Sequence, residues 1–288
     1  MMRRLLPLVL ALAACSRGPE PLRVGSKPFT ESEILSELVA QLAEADGARV
    51  ERRPYLGGSV CFESLKSGDL DAYAEYTGTG LVNILAEPAS NDPAKVYARV
   101  KERFAELWGL TWREPLGFEN TYALVVRRER AAKESWERVS DLRAQKKTLV
   151  CGFDLEFADR PDGWKGLRAA YALDACGSVK QMSPGLLYDA LARGQVDLIS
   201  GYSTDGRIAT LGLKVLADDR RFFPPYEAAV LLGPRALAKA PGLDARLKTL
   251  AGRVSADDMR AMNAQVDSGG KRVRDAAGEF LRRAGLLP

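Results

Sequence analysis

The sequence predicts an α/β protein of two similar lobes, joined by a two-strand hinge, with a ligand cleft between the lobes. Three observations carry this expectation. Amphipathic helical runs alternate with short strand-like runs along 288 residues, a length that allows two domains. The phrase "GDLDAYAEYTGTG" at 68–80 returns as "GQVDLISGYSTDG" at 194–206, at a constant offset of 126. Two strand-like segments divide the chain, so that it leaves the first lobe near residue 119 and returns near residue 224.

The opening "MMRRLLPLVLALAAC" has a basic start, an apolar core at 5–14 and small residues, the pattern of an export signal. Its apolar core is too short to span a bilayer. "LAAC" resembles the bacterial lipoprotein lipobox, which implies a signal peptide at 1–14 and a lipid on Cys15. The alternative is a plain secretory signal cut elsewhere. Residues 15–21 read as a short polar tether. The protein is expected outside the cytoplasm, on the periplasmic or extracytoplasmic face, held to the membrane by its lipid.

"LRVGSKPF" reads as a strand running into a turn. "TESEILSELVAQLAEADG" reads as a helix, with Thr30 and Glu33 as a capping box and Ile34, Leu35, Leu38, Val39 and Leu42 as its apolar stripe. "ARVERRPYL" is the next strand. "GGSVCFESLKSG" is a short helix closed by Gly68, followed by a strand ending at Tyr76. Helical segments occupy the region around 92–108, and "GFENTYALVVRRE" is a strand crossing to the second lobe.

In the second lobe, "VSDLRAQ" is a short helix, "KTLVCGF" a strand and "WKGLRAAYAL" a helix. "SPGLLYDALARG" lies on "GGSVCFESLKSG" without a gap, and its strand ends at Tyr202. "LKVLADD" is followed by "RRFFPPYEAAVLLGP", read as the returning strand with Pro224 and Pro225 at its edge. Helices finish the chain, one capped by Ser255 and one closed by Gly285. The expected lobes are 22–119 with 225–288, and 120–224.

Composition narrows the function. Apolar residues make up 46% and charged residues 28%, as in ordinary globular chains. Removing the first fourteen residues takes away Arg3 and Arg4 and leaves 40 basic against 38 acidic residues, which is no nucleic-acid footprint. There is no histidine, so the commonest general base and zinc ligand are missing. No nucleophile-elbow, phosphate-loop or dinucleotide motif is present. An enzyme is not expected, nor a cofactor or a metal. Cys61 reads as a small buried hydrophobe. Cys151 and Cys176 can pair within the second lobe, but the sequence alone does not establish that bond.

The motifs "VGSKPFTES", "LGGSVCFESLKSGDLDAYAEYTGTG", "PLGFENTYALVV", "DRPDGWKGL", "GYSTDGRIA" and "FFPPYEAA" resemble the substrate-binding proteins of bacterial ABC importers for glycine betaine, choline, carnitine and related osmoprotectants. The resemblance covers about residues 22–286. It implies a two-lobed periplasmic-binding-protein fold, type II-like, with no catalysis. It also implies capture of a small quaternary amine and its delivery to an ABC permease and its ATPase. A monomer is expected. The alternative is a binding protein for another small cationic or zwitterionic solute, reporting to a membrane receptor.

A trimethylammonium group has charge but no N–H, so aromatic faces hold it better than hydrogen-bond acceptors do. By motif position the family's cage falls on Tyr76, Tyr122, Tyr202 and Tyr226. Tyr55, Tyr73, Tyr97, Tyr171 and Tyr188 read as ordinary packing tyrosines. A ligand carboxylate needs cationic or hydroxyl partners, for which the candidates are Lys27, Thr79 and Arg160. Asn120 and Asp205 flank cage positions and could orient the tyrosines. Thr30 is expected to cap a helix, and Asp71 and Asp197 to form turns. By the resemblance, an acid at position 79 goes with choline preference, so Thr79 implies a preference for betaine-like zwitterions. Asp205, at the equivalent point of the repeat, threatens that expectation.

Overall fold

The computed structural model describes residues 20–288. The expected signal segment and the expected lipid site at Cys15 lie outside the described residues. Among the described residues, ten strands form two five-stranded sheets. They are β1 (Leu22–Gly25), β2 (Val50–Arg53), β3 (Ala72–Tyr76), β4 (Thr111–Trp112), β5 (Tyr122–Arg127), β6 (Leu149–Phe153), β7 (Cys176–Gln181), β8 (Leu198–Tyr202), β9 (Leu213–Leu216) and β10 (Ala228–Leu232). The sheet orders are β2-β1-β3-β10-β4 and β7-β6-β8-β5-β9. The two lobes therefore share one topology, three parallel strands, then one strand antiparallel to both of its neighbours, then an edge strand running with the first three.

The repeat seen in the sequence is this topological repeat. The offset of 126 carries the start of β2 onto the start of β7 and the whole of β3 onto β8. It also carries helix Gly58–Ser67 onto helix Pro184–Ala192, and Gly68 and Gly194, which follow them, both take positive φ. Asp71 and Asp197 are not mere turn formers. The Asp71 carboxylate accepts from the Arg23 backbone N–H at 2.8 Å and that of Asp197 from Val150 N–H at 2.9 Å, so each ties its repeated strand to its lobe's opening strand.

The fourth strand of each sheet comes across the hinge. Glu119 and Glu227 form an antiparallel bridge there, flanked by Asn120 N–H to the Tyr226 carbonyl at 3.0 Å and Ala228 N–H to the Phe118 carbonyl at 3.1 Å. Thr77 and Ser203, one residue beyond the paired tyrosines, fasten these crossings in the same way. The Thr77 hydroxyl accepts from Glu227 N–H at 3.1 Å and the Ser203 hydroxyl accepts from Thr121 N–H at 3.1 Å. The returning strand begins at Ala228, since Pro224 and Pro225 have no N–H for a ladder and the Glu227 N–H is taken by the Thr77 hydroxyl.

Helix Thr30–Ala45 buries Ile34, Leu35, Leu38, Val39 and Leu42 against the first sheet and the C-terminal helices. Its start differs from expectation. Phe29 is the N-cap and no side chain caps it, while the Thr30 hydroxyl donates to Asp267 at 2.5 Å in helix Ala256–Asp267. The tertiary partner outcompetes the local one. Ser255 does cap its helix, in a capping box with Asp258. Cys61 is buried, and Cys151 bonds to Cys176, joining the neighbouring strands β6 and β7. No helix among the described residues is long and apolar enough to cross a membrane.

Candidate functional site

Tyrosines 76, 122, 202 and 226 meet at the junction of the lobes, around a small cavity of about 30 Å³. Backbone register places them. Tyr76 and Tyr202 end the central parallel strands β3 and β8. Tyr122 opens the antiparallel strand β5 directly opposite Tyr202. Tyr226 sits on the returning hinge segment, its ring against Gly78; a Cβ there would lie 2.7 Å from the ring. The Tyr122 ring lies 5.4 Å from that of Tyr202 and stands edge-on to Tyr226 at 5.8 Å. Burial holds all four phenols well above the ordinary tyrosine value, so the rings stay neutral.

A fifth ring completes the wall. Phe29 stacks on Tyr202 at 5.5 Å and on Tyr76 at 6.4 Å, bridging rings from the two sheets. Nothing in the sequence marks Phe29 for this wall, although it stands two residues after the candidate Lys27.

Lys27, Thr79, Asn120 and Arg160 line the same cavity, as does Glu156. Neither cation is free. Lys27 Nζ lies 2.6 Å from Glu75 and 5.6 Å from the Tyr76 ring centroid. The Arg160 guanidinium is forked on Asp162, with Nε at 2.7 Å and a terminal nitrogen at 2.6 Å. It lies over Tyr122 at 5.2 Å and Tyr226 at 5.9 Å. The Tyr226 hydroxyl donates to the same Asp162 carboxylate. The outer edge of the guanidinium faces the Thr79 hydroxyl, 3.4 Å from each terminal nitrogen. These ring faces thus already pack against a planar cation, as expected of electron-rich surfaces in a dry site.

Asp205 does not join the cavity. Its carboxylate is held by Arg207, at 2.9 Å and 2.6 Å, and faces a neighbouring cavity of about 300 Å³ on the other side of Phe29. Position 79 therefore has an acidic counterpart in the repeat, but that acid is neutralised and turned away. Asn120 does support a tyrosine indirectly. Its amide donates at 2.8 Å to Glu31, the carboxylate that also accepts the Tyr76 hydroxyl at 2.6 Å. In the sequence Glu31, within "TESE", carries only the signal of a helix start. The packing tyrosines stay outside the cavity. Tyr188 nevertheless reaches it indirectly, because its hydroxyl accepts from the Tyr202 N–H at 3.1 Å.

The site can enclose a compact cation in aromatic faces from both lobes and offer a guanidinium and an ammonium at its edge. Residues 20–283 match the family described as the substrate binding domain of the ABC-type glycine betaine transport system. The chain is 38% identical over 289 residues to the carnitine transport binding protein OpuCC of Listeria monocytogenes, covering 97% of this chain and 94% of that protein. It is 36% identical over 278 residues to a glycine-betaine-binding protein of Pseudomonas aeruginosa, covering 93% and 89%. A crystal structure described as a glycine betaine/carnitine/choline ABC transporter has a TM-score of 0.76 at 35% identity, with 93% of this chain and 100% of that one covered. On this match the chain belongs to the family of substrate-binding domains of ABC-type glycine betaine transport systems.

Proposed function

We propose that this protein captures a quaternary-ammonium zwitterion of the glycine betaine type between its lobes and delivers it to an ABC permease outside the cytoplasm. The observation that carries the reading is the convergence of Tyr76, Tyr122, Tyr202 and Tyr226, with Phe29, on one interlobe cavity beside Arg160. The rings hold the methylated ammonium. Arg160 and Lys27, with the Thr79 hydroxyl, receive the carboxylate. Each of those cations keeps its own acidic partner, so the net field at the rim is modest and a doubly negative ligand gains little. The cavity is small, and entry requires the lobes to part about the bridge at Glu119 and Glu227.

The same proposal takes 22–119 with 225–288 as the first lobe and 120–224 as the second. It takes 1–14 as a signal peptide and Cys15 as the lipid attachment point that keeps the carrier near its permease. Titration calorimetry with glycine betaine, carnitine, proline betaine, choline and choline sulfate tests the ligand class. Heat is expected with the zwitterions first. No heat and no thermal shift with any of the five counts against the reading.

A further inference from the structure

Glu31 is the most enclosed carboxylate beside the cage that has no cation. Only 3% of it is exposed. One oxygen accepts from the Tyr76 hydroxyl at 2.6 Å and the Asn120 amide at 2.8 Å. The other accepts from the Thr204 hydroxyl and from the Asn263 amide at 3.3 Å. All four donors are neutral. The other buried acids near the cage have plain structural partners. Glu75 holds Lys27, Asp162 holds Arg160, and Asp154 caps helix Leu155–Asp159 while accepting from Ser200.

An unpaired buried charge is costly, and a fold keeps one only where hydrogen bonds or a partner charge compensate it. Burial pushes the Glu31 carboxyl above its ordinary value, and the four hydrogen-bond donors oppose that rise by favouring the ionised form. Glu31 lies outside the cage cavity, lines the neighbouring one, and meets the Tyr76 ring through its hydroxyl. A phenol donating to a carboxylate carries more electron density, and in a dry site a negative charge one ring away is felt in the cage. The donors come from both lobes. Tyr76 ends β3, whereas Thr204 follows β8.

We propose that Glu31 is the counter-charge of the cage, acting through the Tyr76 hydroxyl so that the site prefers a cation over a neutral group of the same shape. This rests on the cage reading above. It makes Glu31 a specificity-determining residue that does not touch the ligand, completed when Thr204 of the second lobe closes against it.

The test compares glycine betaine with 3,3-dimethylbutanoate, in which carbon replaces the quaternary nitrogen, the latter measured by competition. Wild type, Glu31→Gln and Tyr76→Phe are titrated after thermal melts have established folding. Glu31→Gln should weaken glycine betaine by about tenfold, within the range of a desolvated cation–π contact. It should leave the carbon analogue unchanged or tighter. Tyr76→Phe, which keeps the ring but cuts the link, should show the same selectivity to a smaller degree and decides the matter if Glu31→Gln does not fold. Equal losses for both ligands would make Glu31 a structural latch only and overturn the proposal. If the wild type binds no quaternary amine at all, the cage reading fails with it. If it binds glycine betaine but Glu31→Gln does not discriminate, only the counter-charge is lost.

Discussion

Tyr122 faces Tyr202 across the β5–β8 ladder, and their rings lie 5.4 Å apart. They are register partners, so the backbone ladder itself sets the two side chains next to each other. Tyr202→Ala and Tyr76→Ala should each weaken glycine betaine by roughly 1–2 kcal/mol, the strength of a desolvated cation–π contact. Tyr55, which is exposed, should tolerate alanine with no change in affinity. Calorimetry on the three variants checks this, and equal losses from all three would misplace the cage.

Gly78 exists where it does because Tyr226 leans on it. A Cβ there would meet the Tyr226 ring at 2.7 Å and the Pro225 carbonyl at 2.8 Å. Gly78→Ala should therefore weaken binding and lower stability, by about 1–3 kcal/mol for an overpacked site. Gly185→Ala, where the nearest contact is the Arg207 guanidinium at 3.8 Å, should do neither. Thermal melts and titrations of both variants give the comparison. An unchanged Gly78→Ala protein would mean that Tyr226 is not seated by this contact.

Thr79 stands 3.4 Å from both terminal nitrogens of Arg160. Thr79→Asp would give that guanidinium a third carboxylate, besides Asp162 and Glu156, and put a negative charge beside the ligand. Glycine betaine should weaken and choline should hold or tighten, so that the betaine-to-choline ratio falls by at least about tenfold, since like charges in a dry cleft cost several kcal/mol. Asp205 should not interfere, because Arg207 holds it away from the cavity. A wild type that prefers choline, or an unchanged ratio in the variant, would remove position 79 from the specificity argument.

Burial pushes the Cys61 thiol up to about 12, so almost none of it is thiolate at neutral pH. Iodoacetamide should leave Cys61 unlabelled until the protein unfolds, and should reach Cys151 and Cys176 only after reduction. Peptide mapping reads both. Reduction should cost roughly 3 kcal/mol of stability for a loop of this length. Labelling of Cys61 in the native state would contradict its burial.

Much of the fold was legible because the chain repeats itself. Tyr76 on Tyr202, Thr77 on Ser203 and Gly68 on Gly194 keep their roles, and each role is set by local backbone geometry. What escaped the sequence depends on residues far apart in the chain. Thr30 looked like a cap because Glu33 stands three places on, yet its partner is Asp267, 237 positions away. Glu31 looked like first-turn helix charge, yet its donors come from residues 76, 120, 204 and 263. Asp205 lies at the repeat equivalent of Thr79, but Arg207, two residues later, redirects it, and nothing in the repeat signals that. Phe29 reaches Tyr76 and Tyr202 from a turn whose direction only packing decides.

The most direct measurement is a crystal structure of the protein with glycine betaine bound. The quaternary nitrogen should lie within about 6 Å of the centroids of at least three of Tyr76, Tyr122, Tyr202 and Tyr226. The carboxylate should be turned toward Arg160 and Thr79. Glycine betaine found instead in the neighbouring cavity behind Phe29, among Glu33, Asp205 and Asp267, would contradict the account.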